Sequence, residues 1–545
     1  MKHNFKKLLC TMLAFGMMLT IWPASVTEVR AAKKIPISSA QDFVNMESNP
    51  SGSYYLTKDI TLPKEMKTLF FDVAFTGTLD GRGHKIKGFT YRGNGEEGTV
   101  CLFGQAKKAS FQRLSLTGVD IRVDAGDAGA RVGTLVRSAE NCKFDRVNVS
   151  GKITVNGHCS KNAGASFDVT GLVRDSQNTA VFTDCSGSLK IKVNAGMANQ
   201  MYISGLAGNA KSLKNCSFKG SITASAKASY EFAETDNGYL DESGDFLAVG
   251  LCETAWGKVT GCTNSGNIKL TVNKGSIDKA RDAVIAAYGI AGGRPQTMTS
   301  CKNSGNIAVS APKMKSAVKA YGLAELAYGD GGNNKTSIIK KCSNSGNISV
   351  TGGLSVSAAG LCENVLYASQ CYNKGKVSAK GTKTAATCQV LVDEDDLEIT
   401  GGSFAGGISV IVRQMNNCYN VGSVTLKGRG GAAGLACMVG VGSDKVSGCN
   451  YSIGTITAKN GDAAGLFYRV DTTAAVMYGK AIVRDSYYKG CKEGYCYGPS
   501  PANKGVPRVT KISSVTSRSC PKLSSKYWTY SSKYKRLVLK NNKEK

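Results

Sequence analysis

Cysteine has the widest chemical repertoire of the residue types in this sequence, and it occurs 19 times in 545 residues. It can form disulfides, bind zinc or pack as a small apolar group. Nine cysteines begin a motif that reads Cys-x-Asn-x-Gly-x-Ile or a looser variant of it. The close copies begin at Cys262, Cys301, Cys342, Cys371 and Cys418, and the looser copies at Cys142, Cys185, Cys216 and Cys449.

The repetition of this motif favours free thiols. If the copies stack, equivalent cysteines lie about 4.8 Å apart with parallel side chains, whereas a disulfide needs a dihedral angle near ~90°. We therefore expect a buried row of stacked thiols. Disulfides remain the alternative, because the 19 cysteines less Cys10 of the export signal leave 18, an even number, and exported proteins commonly pair them.

The other cysteines divide into two groups. Those that follow a Gly-Leu pair are expected to join the core: Cys252, Cys362 and Cys437. Those beyond the repeats favour a terminal disulfide: Cys491, Cys496 and Cys520. A zinc site there is the alternative, although no histidine lies nearby in the sequence.

Histidine offers little for catalysis. His84 lies in a glycine-rich turn, and His158 precedes Cys159. A Cys-His nucleophile pair requires spatial approach and an orienting group rather than adjacency, and the metallopeptidase pattern His-Glu-x-x-His does not occur. We interpret both histidines as loop residues.

Two acidic segments stand out, one around Asp241 and one around Asp395. They are predicted surface loops, with calcium binding as the functional alternative. A glycosidase or polysaccharide lyase would need such carboxylates in register with each other or with a base, and nothing sets that register. The candidate bases are Arg174, Arg281 and Arg413. We predict no catalytic residue, no cofactor and no metal site.

The element that positions these residues is a repeat of about forty residues. Its second motif, Gly-Leu or Gly-Ile, precedes the cysteine motif at Gly171, Gly205, Gly250, Gly289, Gly322, Gly360, Gly407, Gly434 and Gly465. Each unit is expected to form one coil of three short strands that buries its apolar row only by stacking. The glycine after the asparagine should occupy a corner with positive φ. The asparagine should bond the turn or form a ladder, and Ile268 and its equivalents should point inward.

Four segments are predicted along the chain. Residues 1–31 have the charge and apolar pattern of a cleaved signal peptide. Residues 32–100 form an N-terminal cap and first coil, with a short helix whose N-cap is Ser38. Residues 101–490 form the repeats, and residues 491–545 a basic C-terminal cap. The fold class is all-β, a parallel β-helix-like solenoid of about ten coils.

The net charge of +29 is concentrated near the C-terminus, where Pro501–Lys545 holds twelve Lys or Arg and one acid, Glu544. In an exported protein this favours anionic envelope polymers or glycans over nucleic acid as the partner. A solvated lysine-rich surface is the alternative. No segment after the signal is long and apolar enough to span a membrane.

These motifs resemble the GLUG repeat of secreted bacterial surface proteins. The segment Gly360-Leu361-Cys362, followed by Cys371-Tyr-Asn-Lys-Gly-Lys-Val377, carries the resemblance most closely. The resemblance implies a right-handed β-helix-like fold, an extracellular setting and a scaffold or surface-binding role without a reaction. No wall-sorting tail is evident at Lys545, so retention at the cell surface is left open.

We therefore predict a non-catalytic secreted or surface-associated bacterial solenoid, an adhesin or a binder of anionic polymers or glycans. A polysaccharide lyase or glycosidase on a β-helix is the first alternative, and a purely structural spacer is the second. Oligomeric state and ligand identity stay open.

Overall fold

The computed structural model describes most of the chain after residue 33. The described ranges are 34–95, 99–158, 165–228, 245–274, 284–293, 295–314, 316–326, 337–353, 355–381, 389–392, 397–400, 402–440, 445–471, 482–498 and 506–544. The predicted signal peptide, most of the acidic segment around Asp241 and the residues around Asp395 lie outside these ranges, as do Arg281 and Cys159.

The fold is all-β, and successive coils pair through parallel strands, as the repeat predicted. One sheet contains the strands that precede the Gly-Leu pairs, and we call it the upstream sheet. Its 11 strands are Thr99–Val100, Gly129–Gly133, Ser166–Thr170, Gln200–Ser204, Phe246–Val249, Val284–Tyr288, Ala317–Tyr321, Ser355–Ala359, Ser403–Gly406, Gly430–Ala433 and Asp462–Ala464.

The strands that follow the Gly-Leu pairs form the downstream face. They are Phe103–Lys107, Val136–Glu140, Val173–Asp175, Ala207–Ala210, Cys252–Ala255, Ala291–Gly293, Cys362–Ser369, Ser409–Asn416, Ala436–Val439, Phe467–Val470 and Tyr495–Tyr497.

Strands around the cysteine motif complete each coil. They are Ser110–Ala125, Lys143–Gly157, Val181–Thr183, Ser186–Ala198, Ser212–Lys214, Ser217–Phe218, Ser221–Ala228, Lys258–Thr260, Thr263–Asn264, Asn267–Lys274, Thr297–Thr299, Lys302–Asn303, Ile307–Ser310, Ile338–Lys340, Ser343–Asn344, Ile348–Thr351, Tyr372–Asn373, Val377–Lys380, Tyr419–Asn420, Val424–Lys427, Ser447–Gly448, Tyr451–Ser452, Ile456–Lys459, Val483–Arg484, Ser486–Tyr488 and Val509–Lys511.

The N-terminal strands continue the same parallel stack. They are Lys34–Ile37, Ser53–Leu56, Ile60–Thr61, Thr78–Asp80, Lys85–Lys87 and Thr90–Gly93. Two antiparallel hairpins stand apart from it, Gln389–Val392 with Leu397–Thr400 and Trp528–Ser531 with Arg536–Leu539. Among the described residues, no helix has the length and hydropathy needed to cross a membrane.

A short helix, Ala40–Val44, and a 3₁₀ turn, Asn45–Ser48, follow the first strand. The N-cap is Ser39 and not the predicted Ser38: the Ser39 hydroxyl accepts a hydrogen bond from the Asp42 backbone amide. Ser38 instead donates to the Asp42 carboxylate from its backbone amide and its hydroxyl. The predicted cap was therefore wrong by one residue. Asp42, and not Gln41, is the residue three positions after the N-cap that completes the capping arrangement.

The core is built from the inward residues that the repeat marks. The Leu or Ile of every Gly-Leu pair is fully buried, and Ile268 and its equivalents are at most 4% exposed. At about 25 cal/mol per Å² of apolar surface, such rows dominate the stability of the stack.

The glycine of the cysteine motif does not take the predicted positive φ. Gly305 and Gly346 lie outside the left-handed region, but a Cβ on Gly346 would come within 2.0 Å of the Gly305 carbonyl oxygen. The residue is glycine because neighbouring coils approach too closely for a side chain.

Positive φ belongs instead to the residue immediately before the cysteine position. The residues in this conformation are Arg113, Arg146, Asp184, Asn215, Gly261, Ser300, Lys341, Gln370, Asn417, Cys449 and Asp485. One corner per coil therefore turns in the left-handed region, mostly without glycine.

This corner also corrects the membership of the thiol row. The row position is occupied, coil after coil, by Leu114, Val147, Cys185, Cys216, Cys262, Cys301, Cys342, Cys371, Cys418, Asn450 and Ser486. Cys142 was wrongly included, because the pairing places it beside Ala109 and Ala180. Cys449 was also wrongly included in the row. It lies at the corner with positive φ, and Asn450 occupies the buried row position.

The expected disulfide near the C-terminus is wrong as well, since Cys491, Cys496 and Cys520 are free. Cys520 is buried with the C-terminal aromatic residues, whereas Cys491 packs on the main core and donates to the Ala463 carbonyl. Cys491 and Cys520 therefore lie in separate environments, which keeps their thiols apart. Cys252 and Cys362 join the core as predicted, but Cys437 lies in a separate apolar cluster.

Alkylation distinguishes free row thiols from disulfides. All seven row cysteines are buried, so a reagent in solution does not reach their thiols in the folded protein. We expect iodoacetamide to leave the seven row cysteines unlabelled in the folded protein and to label all of them in denaturant without reductant, as read by mass spectrometry. Partly exposed Cys449 and Cys491 are the internal control. Row cysteines that resist labelling in denaturant would indicate disulfides instead.

Candidate functional site

Polar side chains converge where the upstream sheet meets the downstream face. On the upstream strand Ala317–Tyr321, Val318 and Ala320 join the core, so Lys319 and Tyr321 point outward. On the other side of the Gly-Leu corner, Ala324 and Leu326 join the core and Glu325 points outward. The outward side chains of the two strands approach each other on the outer surface of the coil, beside the Gly-Leu corner. We call this site the corner cleft, lined by Tyr288, Lys319, Tyr321, Glu325 and Glu363.

One ammonium group links carboxylates of two adjacent coils in this cleft. Lys319 Nζ lies 3.2 Å from Glu325 Oε1 and 3.0 Å from Glu363 Oε2. The backbone bridge between Ala324 and Cys362 places the two glutamates one coil apart on the same column. The side chains of Lys319, Glu363 and Glu325 are 17%, 14% and 32% exposed to solvent. Glu325 is therefore the most exposed of these three residues.

Two buried tyrosines complete the cluster. Tyr288 donates a hydrogen bond to the Glu325 carboxylate, and the Tyr321 hydroxyl hydrogen-bonds with Ser357. The two rings stack 5.8 Å apart on neighbouring coils and are almost fully buried. The two tyrosines belong to a buried apolar cluster that also contains Phe404, Val410, Ile411, Cys437 and Met438.

The environment separates the two carboxyl groups. Burial raises the pKa of Glu363 to about 7, with the Lys319 charge opposing and the Glu325 charge reinforcing the rise. Burial also acts to raise the pKa of Glu325, but the charge of Lys319 and the Tyr288 hydrogen bond outweigh it and lower that pKa overall. Near neutral pH the cleft therefore holds one ionised carboxyl group, Glu325, and one partly protonated carboxyl group, Glu363.

A second polar cluster lies along the same corner. Arg174 Nε is 2.7 Å from Asp168 Oδ2, and Asp168 Oδ1 is shielded from solvent without a hydrogen-bond partner in the described structure. Burial raises the pKa of Asp168 to about 6. Burial, reinforced by the Asp168 charge, raises that of Glu253 to about 8.

Sequence reasoning missed this site, although a signal for it existed. The third residue after the glycine of a Gly-Leu pair points outward into the cleft, and it is charged in Gly171-Leu-Val-Arg174, Gly250-Leu-Cys-Glu253, Gly322-Leu-Ala-Glu325 and Gly360-Leu-Cys-Glu363. Of the three arginines considered as bases, Arg174 lies in the second cluster, and Arg413 lies elsewhere on strand Ser409–Asn416. His84 lies 3.6 Å from Asp59, and His158 is exposed. Among the residues in the described ranges, no group of side chains could hold a metal ion.

The basic C-terminal segment forms a strap along the side of the stack. We use the name C-terminal strap for residues 506–544. Trp528 packs 5.8 Å from Tyr419 and 5.4 Å from Tyr451, and its Nε1 donates to Asn417 Oδ1 at 3.1 Å. Asn542 donates to the Cys342 carbonyl at 3.1 Å. The strap thus runs back over several coils.

The strap covers a column of tyrosines that the repeats supply at the position after the thiol row. Its members are Tyr372, Tyr419, Tyr451 and Tyr487. Apolar residues of the strap pack on the column: Val515, Leu523, Trp528, Leu537 and Leu539.

The charge of the strap is strongly one-sided. Its exposed cations are Arg508, Lys511, Arg518, Lys522, Lys526, Lys533, Lys535, Lys540 and Lys543. Its acid, Glu544, has a fully buried side chain, and Arg536 Nη2 donates to both carboxylate oxygens at 2.7 and 2.9 Å. Tyr530 is 53% exposed among these cations, and Lys533 and Arg536 both lie over the Tyr534 ring. The outward face of the strap is therefore cationic and aromatic.

The comparisons with known proteins include a distant likeness to a solved structure. No protein-family model matches the sequence, and no curated protein matches it. Among solved structures, the chain is similar to an IgA1 protease, with a TM-score of 0.34 and 14% sequence identity. The match covers 66% of this chain and 23% of that one, so the chain spans less than a quarter of the length of that protein.

Proposed function

We propose that this chain is an exported, GLUG-like solenoid of the bacterial surface that binds anionic polymers or glycans through the outward face of the C-terminal strap. The observation that supports the proposal is the set of nine exposed cations on a strap whose acid, Glu544, is buried and paired. A solvated lysine-rich surface would be expected to mix its cations with exposed carboxylates.

The packing of the strap strengthens this proposal. Cations on a flexible tail pay conformational entropy when they bind, whereas cations on a strap fixed by Trp528 and Leu537 hold their spacing in advance. Exposed tyrosines beside them offer faces on which sugar rings can pack, as aromatic residues do at many binding surfaces. A linear anionic polymer is the partner that suits an extended cationic strip.

Salt and charge substitution test the proposal together. We expect binding to immobilised dextran sulfate or polygalacturonate to weaken steeply between low salt and 0.3 M salt, because the Debye length shortens to well under ~10 Å. The triple variant K522Q/K526Q/K533Q should bind about tenfold more weakly than wild type, since each exposed ion contact contributes a modest amount.

The matched control removes the same charge elsewhere. Lys190, Lys192 and Lys269 are exposed on strands of the repeats, and K190Q/K192Q/K269Q should retain most of the binding. Equal losses of binding in both variants would mean that general surface charge, and not the strap, binds the polymer. Binding that responds neither to salt nor to the strap variant would overturn the electrostatic proposal, and no binding to any polymer would favour a structural spacer. Deletion of 501–545 is a poor test, because it would also uncover the tyrosine column.

A further inference from the structure

We propose that Lys319 and Glu363 condense to an amide in the corner cleft and so join two adjacent coils by a covalent cross-link. The bond is a modification of the chain by its own side chains, and the polymer binding proposed for the strap does not depend on it. Both reacting groups are already in contact within the cluster, so the reaction needs neither a bound substrate nor a cavity.

The nitrogen of the lysine lies at contact distance from both carboxyl groups. Lys319 Nζ is 3.0 Å from Glu363 Oε2 and 3.2 Å from Glu325 Oε1. A carboxyl carbon lies one bond, ~1.23 Å, from its oxygen, so a small rotation of the Glu363 carboxyl group brings its carbon to the ~3–3.5 Å of reacting atoms. Two groups fixed in this way react as if at an effective concentration of up to ~10⁵–10⁸ M.

The surroundings of the cluster favour an amide over a pair of ions. Tyr288 and Tyr321 flank the charged groups, are at most 1% exposed, and belong to the same buried apolar cluster as Phe404 and Ile411. A buried ion pair has lost the hydration that stabilises its charges in water, whereas an amide carries no net charge. The burial also keeps most water away from the bond, and water is the reactant that would hydrolyse it.

The two glutamates differ in the way that the reaction requires. Burial raises the pKa of Glu363 to about 7, so near neutral pH part of this group is the protonated acid, from which water can leave. Glu325 is ionised and can accept a proton from the amine. Burial acts to lower the pKa of Lys319, but the charges of Glu325 and Glu363 outweigh it and raise that pKa. The free amine therefore forms only while its proton rests on Glu325.

The reaction balances among these three side chains. The Lys319 ammonium group passes one proton to the Glu325 carboxylate, and the free amine attacks the carbonyl carbon of protonated Glu363. The new C–N bond forms, the C–O bond to the Glu363 hydroxyl breaks, and the hydroxyl leaves as water with a second proton from the nitrogen. The amide nitrogen keeps one hydrogen, and Glu325 holds the proton that it accepted.

The cross-link ties the middle of the stack together. Lys319 lies on strand Ala317–Tyr321, and Glu363 lies on strand Cys362–Ser369 of the following coil. An amide between them closes a covalent loop around residues 320–362, which restricts the unfolded chain as a disulfide does. These two coils then cannot separate completely unless a covalent bond breaks.

Peptide mapping of the full wild-type chain by mass spectrometry tests the proposal. Trypsin should leave Lys319 uncleaved in a branched peptide joined to the peptide that contains Glu363, lighter than the two separate peptides by one water, about 18 Da. The pair Lys107 and Glu140 is an internal control, because its atoms are closer, at 2.8 Å, but its side chains are 51% and 31% exposed. Trypsin should cleave after Lys107, and no branched peptide should form there.

Two variants test the separate roles of the glutamates. E363A removes the acid that is attacked and should yield no cross-link, whereas E325Q keeps the size of the side chain without its base and should slow cross-linking by ~10²–10⁴-fold. E140Q should form the cross-link as wild type does, and protection of the row cysteines from alkylation shows that each variant is folded.

The wild-type map decides the proposal even if a variant fails to fold. Separate, unmodified peptides for Lys319 and Glu363 from folded wild-type chain would overturn it. Cross-linking in E325Q at the wild-type rate, or a link from Lys319 to Glu325, would overturn the assigned roles. Polymer binding by E363A should equal that of wild type, so a failure of the strap proposal would be seen separately.

Discussion

Replacing Asn344 by alanine is expected to lower the free energy of unfolding of the central coils by about 3–5 kcal/mol. Asn344 is fully buried in a ladder that runs through Asn264, Asn303, Asn373 and Asn420. Such a loss would be large against the ~5–15 kcal/mol that stabilises a typical domain.

The expected size follows from the number of groups left without partners. Asn344 Nδ2 donates to Asn373 Oδ1 at 2.7 Å and to the Gly346 carbonyl at 2.8 Å, and its Oδ1 accepts from Asn303 Nδ2 at 2.7 Å and from the Gly346 amide at 3.2 Å. Alanine removes all four bonds where neighbouring coils exclude solvent. Each buried group left unsatisfied costs ~1–3 kcal/mol, partly relieved by local relaxation.

A second asparagine column supplies the control. Asn306 lies on an exposed corner, where its Oδ1 accepts one hydrogen bond from the Asn347 amide at 2.9 Å. Asn306→Ala should cost under about 1 kcal/mol, because water replaces the lost partner. Hydrogen exchange is the suitable measurement, since stacked repeats need not unfold as one unit. Equal effects of the two substitutions would mean that the buried ladder contributes little to stability.

The sequence was sufficient for the coil but not for its surface. The inward positions of Leu323 and Ile268 repeat at a fixed place in each unit, and stacking leaves them only one environment. The glycine and cysteine positions were located correctly in five close copies, but their backbone geometry was misjudged: close approach, not positive φ, explains Gly346. Register, which moved Cys142 and Cys449 out of the row, depends on pairing that motif spacing cannot specify.

The corner cleft was not predicted because its members do not recur together. Lys319 is near Glu325 in the chain, but Glu363 lies a whole coil later, and only the stacking of Ala324 on Cys362 brings the two carboxylates to one nitrogen. The strap was predicted as part of a basic C-terminal cap, but its packing on the tyrosine column was not predicted. Its apolar side could have been foreseen from the tyrosines that follow Cys371 and Cys418, because an exposed tyrosine column requires a cover.

Replacing Trp528 by alanine is expected to release the C-terminal strap from the tyrosine column. Trp528 is 2% exposed, contacts the rings of Tyr419 and Tyr451, and is bonded to Asn417 through its indole nitrogen. Truncation of a buried tryptophan costs ~3–5 kcal/mol. If this cost falls on docking of the strap, the undocked population rises by about 10²–10⁴-fold.

Limited proteolysis reads this population directly. Trypsin requires an extended, accessible chain, and cleavage of a transiently opened segment follows its equilibrium population when closing is fast. The exposed Lys522 and Lys526 should therefore be cleaved far faster in Trp528→Ala than in wild type, while the coils stay intact. Tyr530→Ala, two residues away at a side chain that is 53% exposed, is the matched control and should change the cleavage rate less than twofold.

The same variant separates the charge of the strap from its arrangement. Trp528→Ala keeps every cation, so binding to dextran sulfate that depended on net charge alone would be unchanged. If the fixed spacing of the cations matters, binding should weaken while its salt dependence persists, because a released strap must be ordered again on the polymer. Slow tryptic cleavage in Trp528→Ala would show that the remaining contacts, such as Tyr451 to the Leu537 carbonyl and Asn542 to the Cys342 carbonyl, hold the strap without the indole.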